Sequence, residues 1–145
     1  MCNFQKFYIT EKIIIVIEAS KDSFSAYSEN VSSIYGAGAT IKECKDSILE
    51  AIEIYKEPDM LEFAPKILLD DDYTITYKYD VQSILAYYSG IFTKAGLERI
   101  TGINQKQLGH YASGLKKPRP AQQAKIIDAL HRLGEDLISL QLYKK

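Results

Sequence analysis

The segment from Phe92 to Pro120, FTKAGLERITGINQKQLGHYASGLKKPRP, constrains the fold more than any other stretch of the chain. Leu97 precedes a glycine-containing turn, and Leu108 and Tyr111, three residues apart, follow it. Thr93 to Thr101 reads as one short helix, Gly102-Ile103-Asn104 as the turn, and Gln105 to Ser113 as a second helix that ends before Gly114. A first helix, a tight turn and a polar-faced second helix form the outline of a helix-turn-helix, which lays its second helix in the DNA major groove.

The exposed face of that second helix carries groups that can read bases. Gln105, Lys106 and Gln107 occupy its first turn, and His110 lies one turn on. Glutamine can bond both N6 and N7 of adenine, and lysine can reach guanine O6 or N7 or a phosphate. Lys116, Lys117 and Arg119 follow in a basic loop, where contacts to the phosphate backbone commonly lie. Lys94 opens the first helix, where its charge opposes the helix dipole unless a phosphate compensates. The same polar residues would also suit a helix that is merely solvated. His110, His131 and the two cysteines stand at no metal-ligand spacing, so no metal site is expected.

Charge is divided unevenly along the chain. Residues 1–65 hold six lysines and eleven acids, a net of -5, whereas residues 81–145 hold ten basic and four acidic residues, a net of +6. An acidic half joined to a basic half points to two partners of different charge, and the basic half suits a phosphate backbone. No apolar run approaches the roughly 18 residues of a membrane span, and the first residues lack the apolar core of a signal peptide. A cytoplasmic location is the expectation, with Cys44 buried, Cys2 exposed and no disulfide.

Upstream, Lys12 to Glu18 is a β-branched run expected to form a strand buried on both faces. Phe24, Ala26 and Ser28 alternate with polar neighbours as the second arm of a hairpin, and a third short strand is expected around Ile34-Tyr35. Thr40-Ile-Lys-Glu43 is a capping box opening a helix whose apolar face is Ile41, Cys44, Ile48, Ala51, Ile52 and Tyr55, stopped by Pro58. Lys66 to Leu69 reads as a short strand, paired as in a hairpin with the clear strand Tyr73 to Tyr79. Asp80 caps a helix from Val81 to Ser89 with Val81, Ile84, Leu85 and Tyr88 inward. Pro120 begins a last helix that Gly134 breaks at Leu133; the pattern of 136–143 fits helix or strand.

Two resemblances add to this reading. Leu97 to Pro118 resembles the XRE-type helix-turn-helix of phage repressors, through Leu97, Gly102-Ile103, Leu108, the Gly114 ending and Lys116-Lys117-Pro118. The resemblance implies that Asn104, Gln105, Lys106, Gln107 and His110 contact bases, and that Lys94, Lys116, Lys117 and Arg119 serve phosphates. Glu98 departs from the small residue usual there, and Gly109 weakens the reading helix by about 1 kcal/mol relative to Ala. The upstream half resembles the HicB-like antitoxin domain through Ile13 to Ala19, Phe24-Ser-Ala-Tyr27, and Tyr35-Gly-Ala-Gly-Ala-Thr40 leading into Ser47 to Tyr55. Asn30-Val-Ser-Ser-Ile34 stands where that family has Pro-Asp-Leu-Pro-Gly-Cys.

Catalysis is not expected. Two-metal cleavage needs converging carboxylates, and Glu18, Asp22 and Glu29 are spread over a strand, a turn and a strand end. Asp70-Asp71-Asp72 is dense but turn-like, and no nucleophile set or phosphate loop is present. The expectation is an α+β chain with two domains. Residues 1–79 form a small antiparallel sheet with one helix, a partial RNase H-like fold of the HicB type, and residues 80–145 an all-α helix-turn-helix domain. The resemblances imply an antitoxin that covers a HicA-type, mRNA-cleaving toxin and represses its own operon as a homo-oligomer on double-stranded operator DNA, without cofactors. Two alternatives stand beside it: a stand-alone regulator whose first half oligomerises or senses a ligand, and an interaction protein that binds no DNA.

Overall fold

In the computed structural model, which describes residues 10–144, the isoleucine run lies in β1 (Glu11–Ala19), an interior strand of a four-stranded sheet. The chain divides into two units, Met1–Tyr79 and Asp80–Lys145, each with an apolar cluster of its own. Cys2 lies outside the described residues.

In the first unit, Ile13, Ile15 and Ile17 are fully buried, while Ile14 and Val16 are half-buried. One face of β1 is thus sealed and the other only partly covered, rather than both being buried as the run of β-branched residues predicts. The covering element is α1 (Ile41–Ile54), whose Ile41, Cys44, Ile48 and Ile52 join the same cluster. Its start is fixed locally: the Glu43 N–H donates to Thr40 Oγ1 at 3.1 Å. The Glu43 carboxylate reaches back to the Ala39 N–H at 2.8 Å, one residue earlier than the usual capping box.

β2 (Phe24–Ser28) runs antiparallel to β1, with Ala26 opposite Ile17, and β3 (Tyr35–Gly38) runs antiparallel to β2. β4 (Tyr73–Tyr79) lies on the other side of β1 but parallel to it, Ile13 facing Ile75 and Ile15 facing Tyr77. The sheet is therefore mixed, in the order β3-β2-β1-β4, and not the antiparallel one expected. The alternation of Tyr73, Ile75, Tyr77 and Tyr79 assigns those side chains to one face, and it reads the same in either strand direction. Parallel pairing needs a long crossover, which α1 supplies.

Lys66–Leu69 is not a strand but a single helical turn, α2, after Pro65, with Leu68 buried. Four apolar residues cannot fix a period, and a buried helical turn and a buried strand look alike at that length. Asn30 closes the end of the hairpin. Its Oδ1 accepts from the Ile14 N–H at 2.9 Å and its amide donates to the Lys12 carbonyl at 2.6 Å, so one side chain continues the pairing of β1 past the end of β2.

In the second unit, Asp80 caps α3 (Val81–Tyr87), its carboxylate accepting from the Ser83 N–H at 2.8 Å. Val81 and Leu85 are buried, whereas Tyr88, expected inside, is at the helix end and exposed, its ring 5.6 Å from that of Phe92. Two short helices follow, α4 (Lys94–Thr101) and α5 (Gln105–Ala112), then α6 (Pro120–Ser139). α6 passes through Gly134 instead of stopping there. An interior glycine costs only about 1 kcal/mol against alanine, and no proline or cap follows to enforce a stop. Among the described residues no helix is long and apolar enough to cross a membrane.

Candidate nucleic-acid interface

The geometry of α4, the turn and α5 is set by side chains within a few residues of the turn. Thr93 caps α4, its Oγ1 accepting from the Gly96 N–H at 3.0 Å. At the other end Gly102 takes the left-handed conformation, φ 72°, and its N–H donates to the Glu98 carbonyl at 2.8 Å. Thr101 Oγ1 donates to the Leu97 carbonyl at 2.7 Å and accepts from the Ile103 N–H at 3.1 Å. Ile103 is thereby turned into the cluster formed by Leu97, Leu108, Tyr111, Val81, Leu85 and Ile126. Asn104 then starts α5 as its N-cap, Oδ1 accepting from the Gln107 N–H at 2.8 Å.

Anchoring through Leu108 and Tyr111 turns the polar face of α5 outward. Gln105 and Lys106 are exposed, and Gln107 and His110 are half-buried. Several of these groups already have partners. Gln105 Nε2 donates to Glu98 Oε2 at 2.8 Å, and Gln107 Nε2 donates to the Tyr111 hydroxyl at 2.8 Å. His110 Nδ1 is buried with no hydrogen-bond partner among the described residues, which takes that ring nitrogen away from any ligand in the solvent. The side-chain oxygen of Asn104 is engaged as well, since it holds the helix start.

The cations fall into two places. Lys94, on the first turn of α4, brings its ammonium to 3.4 Å from where a Cβ of Gly109 would sit, so it lies against α5. Lys116, Lys117 and Arg119 are exposed in the connection between α5 and α6. That connection leaves α5 through Gly114, at φ 75°, with the Gln82 amide packed where a β-carbon would stand, 2.8 Å away. Arg119 is the extended N-cap residue of α6, and Pro120 occupies the first position of that helix.

Glu98, which departs from the small residue of the resemblance, pairs with Gln105, a contact that the spacing of neither helix predicts. Arg99 is a further exposed cation, in the last turn of α4, that no spacing rule sets apart. In the first unit the candidate carboxylates do not converge. Glu29 is paired with Lys78 at 2.6 Å and Asp71 with Lys56 at 3.0 Å. No group of three or more His, Cys, Asp or Glu that could hold a metal ion occurs among the described residues. The arrangement on α5 can form hydrogen bonds to base edges and charge pairs with phosphates. Compared with family models, with curated proteins and with solved structures, the chain gives no match.

Proposed function

We propose that α4, the Gly102 turn and α5 are a helix-turn-helix that binds double-stranded operator DNA, α5 entering the major groove. The observation that carries this reading is the pairing of a rigidly capped α5 with an exposed Gln105 and Lys106, flanked by Lys94 on one side and by Lys116, Lys117 and Arg119 after it. Gln105, Lys106, Gln107 and His110 are the side chains for base edges, and Asn104 contributes by placing them. The four flanking cations serve phosphates, each neutralised phosphate releasing counterions.

Residues 1–79 carry eight lysines and fourteen acids, a net of -6. That charge, with the resemblance to the HicB-like domain, supports an antitoxin role: the first unit covers a small basic ribonuclease toxin, and the second represses the operon that encodes both. Charge complementarity would speed capture of such a toxin.

Binding to the DNA upstream of the gene tests the first part. Gln105→Ala should cost about 1–3 kcal/mol at one base position, whereas Lys116→Ala should weaken all sequences and reduce the salt slope by about one. If neither substitution alters binding to that DNA, the reading fails. Co-purification from the native host with mass spectrometry tests the second part. Recovery of a small basic nuclease supports the antitoxin role, and recovery of the chain without one leaves a stand-alone regulator.

A further inference from the structure

The acidic surplus of the first unit is not spread over it. Residues 49–72 hold eight acids and two lysines, a net of -6, while the rest of residues 1–79 holds six of each and is neutral. This stretch comprises the end of α1, the turns after it, α2, and the turn that leads into β4. Outside it, Glu29 is paired with Lys78 and Asp46 with Lys42. Within it, Lys56 holds both Glu53 and Asp71. Glu50, Glu57, Asp59, Glu62, Asp70 and Asp72 are exposed and make no ion pair among the described residues.

The same stretch carries apolar surface. Leu49, Ile54, Leu61, Phe63 and Leu69 are exposed, Phe63 by 65%. Elsewhere in the unit, the large exposed side chains of this kind among the described residues are Tyr27 and Tyr35, each ending in a hydroxyl. Ile52 and Leu68 supply the core from the same elements, so the outer side chains are not what closes it. Backbone bonds from the Glu57, Met60 and Phe63 N–H groups to the Ile54, Glu57 and Met60 carbonyls fold the intervening residues into successive turns. The Lys56–Asp71 pair then ties the end of α1 to the turn before β4 at 3.0 Å. Charge and apolar groups are thus held together in the fold as well as in the sequence.

This arrangement is costly to the unit alone. Glu53 lies in the last turn of α1 with Glu50 one turn before, at the negative end of the helix dipole, and no basic residue occupies that turn. We infer that the surface from Leu49 to Asp72 docks a basic protein whose lysines and arginines surround apolar side chains. Such a partner relieves both costs, covering the apolar groups and neutralising the acids. Other occupants meet obstacles. Nucleic acids and anionic membranes carry the wrong sign, and a two-fold contact with a second copy sets -6 against -6. No group of three or more acids here could hold a metal ion among the described residues. The inference deepens the antitoxin reading, on which it rests for a basic partner, by assigning the contact to one surface.

Binding of a labelled synthetic helical peptide of leucine and lysine to the full chain tests it, by fluorescence anisotropy with circular dichroism on each variant. Wild type should bind, less tightly as salt rises. Phe63→Ser should weaken binding about tenfold or more with an unchanged spectrum, because Phe63 faces solvent. The double variant Glu57→Gln, Glu62→Gln should weaken it too, whereas Glu18→Gln, at an exposed acid outside the stretch, should not. A peptide of equal charge with serine for leucine should bind about tenfold more weakly or worse. A wild-type chain that binds neither peptide, or both equally, overturns the inference. So does binding that Phe63→Ser and the glutamine pair leave intact, which places the contact elsewhere. Self-association seen by sedimentation without peptide, and abolished by Phe63→Ser, would give the surface to a second copy and overturn it as well. Neither DNA nor toxin enters these measurements. They can therefore fail while co-purification still recovers a basic nuclease, and succeed where it recovers none.

Discussion

Glu98 holds Gln105 by a 2.8 Å hydrogen bond between the two helices that flank the Gly102 turn. In the free chain the first residue of α5 is thus tied to a carboxylate. On the proposed DNA surface that carboxylate is doubly unfavourable, as a competitor for the Gln105 amide and as a negative charge near phosphates. Glu98→Ala should raise affinity for DNA of any sequence by roughly 1 kcal/mol at low salt, with the gain shrinking as salt rises. Fluorescence anisotropy at several salt concentrations checks this, and an affinity that falls would sink the assignment of α5 to the groove.

Asn104 separates a capping role from a reading role. Asn104→Ala should lower stability by about 1 kcal/mol through loss of the bond to the Gln107 N–H. Asn104→Asp keeps a capping oxygen and should keep stability, while adding a negative charge that weakens DNA binding. Urea unfolding and binding measured on both variants give the comparison. Equal loss of stability in the two would show that the cap is not what holds α5 in place.

Gly38 is required by the approach of α1 to the sheet. A β-carbon there would lie 2.6 Å from the Cys44 nitrogen and 2.8 Å from the Glu43 carbonyl carbon, both backbone atoms that cannot swing aside. Gly38→Ala should therefore destabilise the first unit by about 1–3 kcal/mol, the usual cost of overpacking. Denaturant melts resolve this, and a stability within a few tenths of a kcal/mol of wild type would contradict it.

Cys44 is buried on the inner face of α1, and burial pushes its thiol above the ordinary value. The folded state holds the proton more tightly than the unfolded one. This contribution to stability is fully present below the ordinary thiol range and is lost as pH rises through that range toward the folded value. Near pH 8.5, alkylation mapped to Cys44 should be far slower in the native chain than in urea. Equal rates would place the thiol in solvent.

Features decided by neighbouring residues were legible in the sequence. The Thr40 cap, the Asp80 cap and Pro120 at the start of α6 each follow from one side chain and a backbone group within three residues. Features decided by distant partners were not. The direction of β4 depends on which edge of β1 is free, and its alternation carries no sign. Gly36 and Gly38 serve the packing of α1, a contact invisible until helix and strand are brought together. Gly134 read as a stop, although its effect on an otherwise sound helix is small. On the candidate site, the polar face of α5 was evident from spacing, whereas the bonds from Gln105 to Glu98 and from Gln107 to Tyr111 depend on rotamers that no periodicity encodes.

The parallel pairing of β1 with β4 has a consequence for how the chain is made. Ile15 must wait for Tyr77, roughly 60 residues later, and at about 5–20 residues per second that is several seconds of synthesis. Until then the hairpin of β1 and β2 presents an open, isoleucine-rich edge, the kind of strand edge that recruits other chains. The interval is governed by the ribosome rather than by folding, since hairpins close in about 1–10 μs. A slow codon between α1 and β4 would lengthen that exposure without changing a single residue of the finished protein.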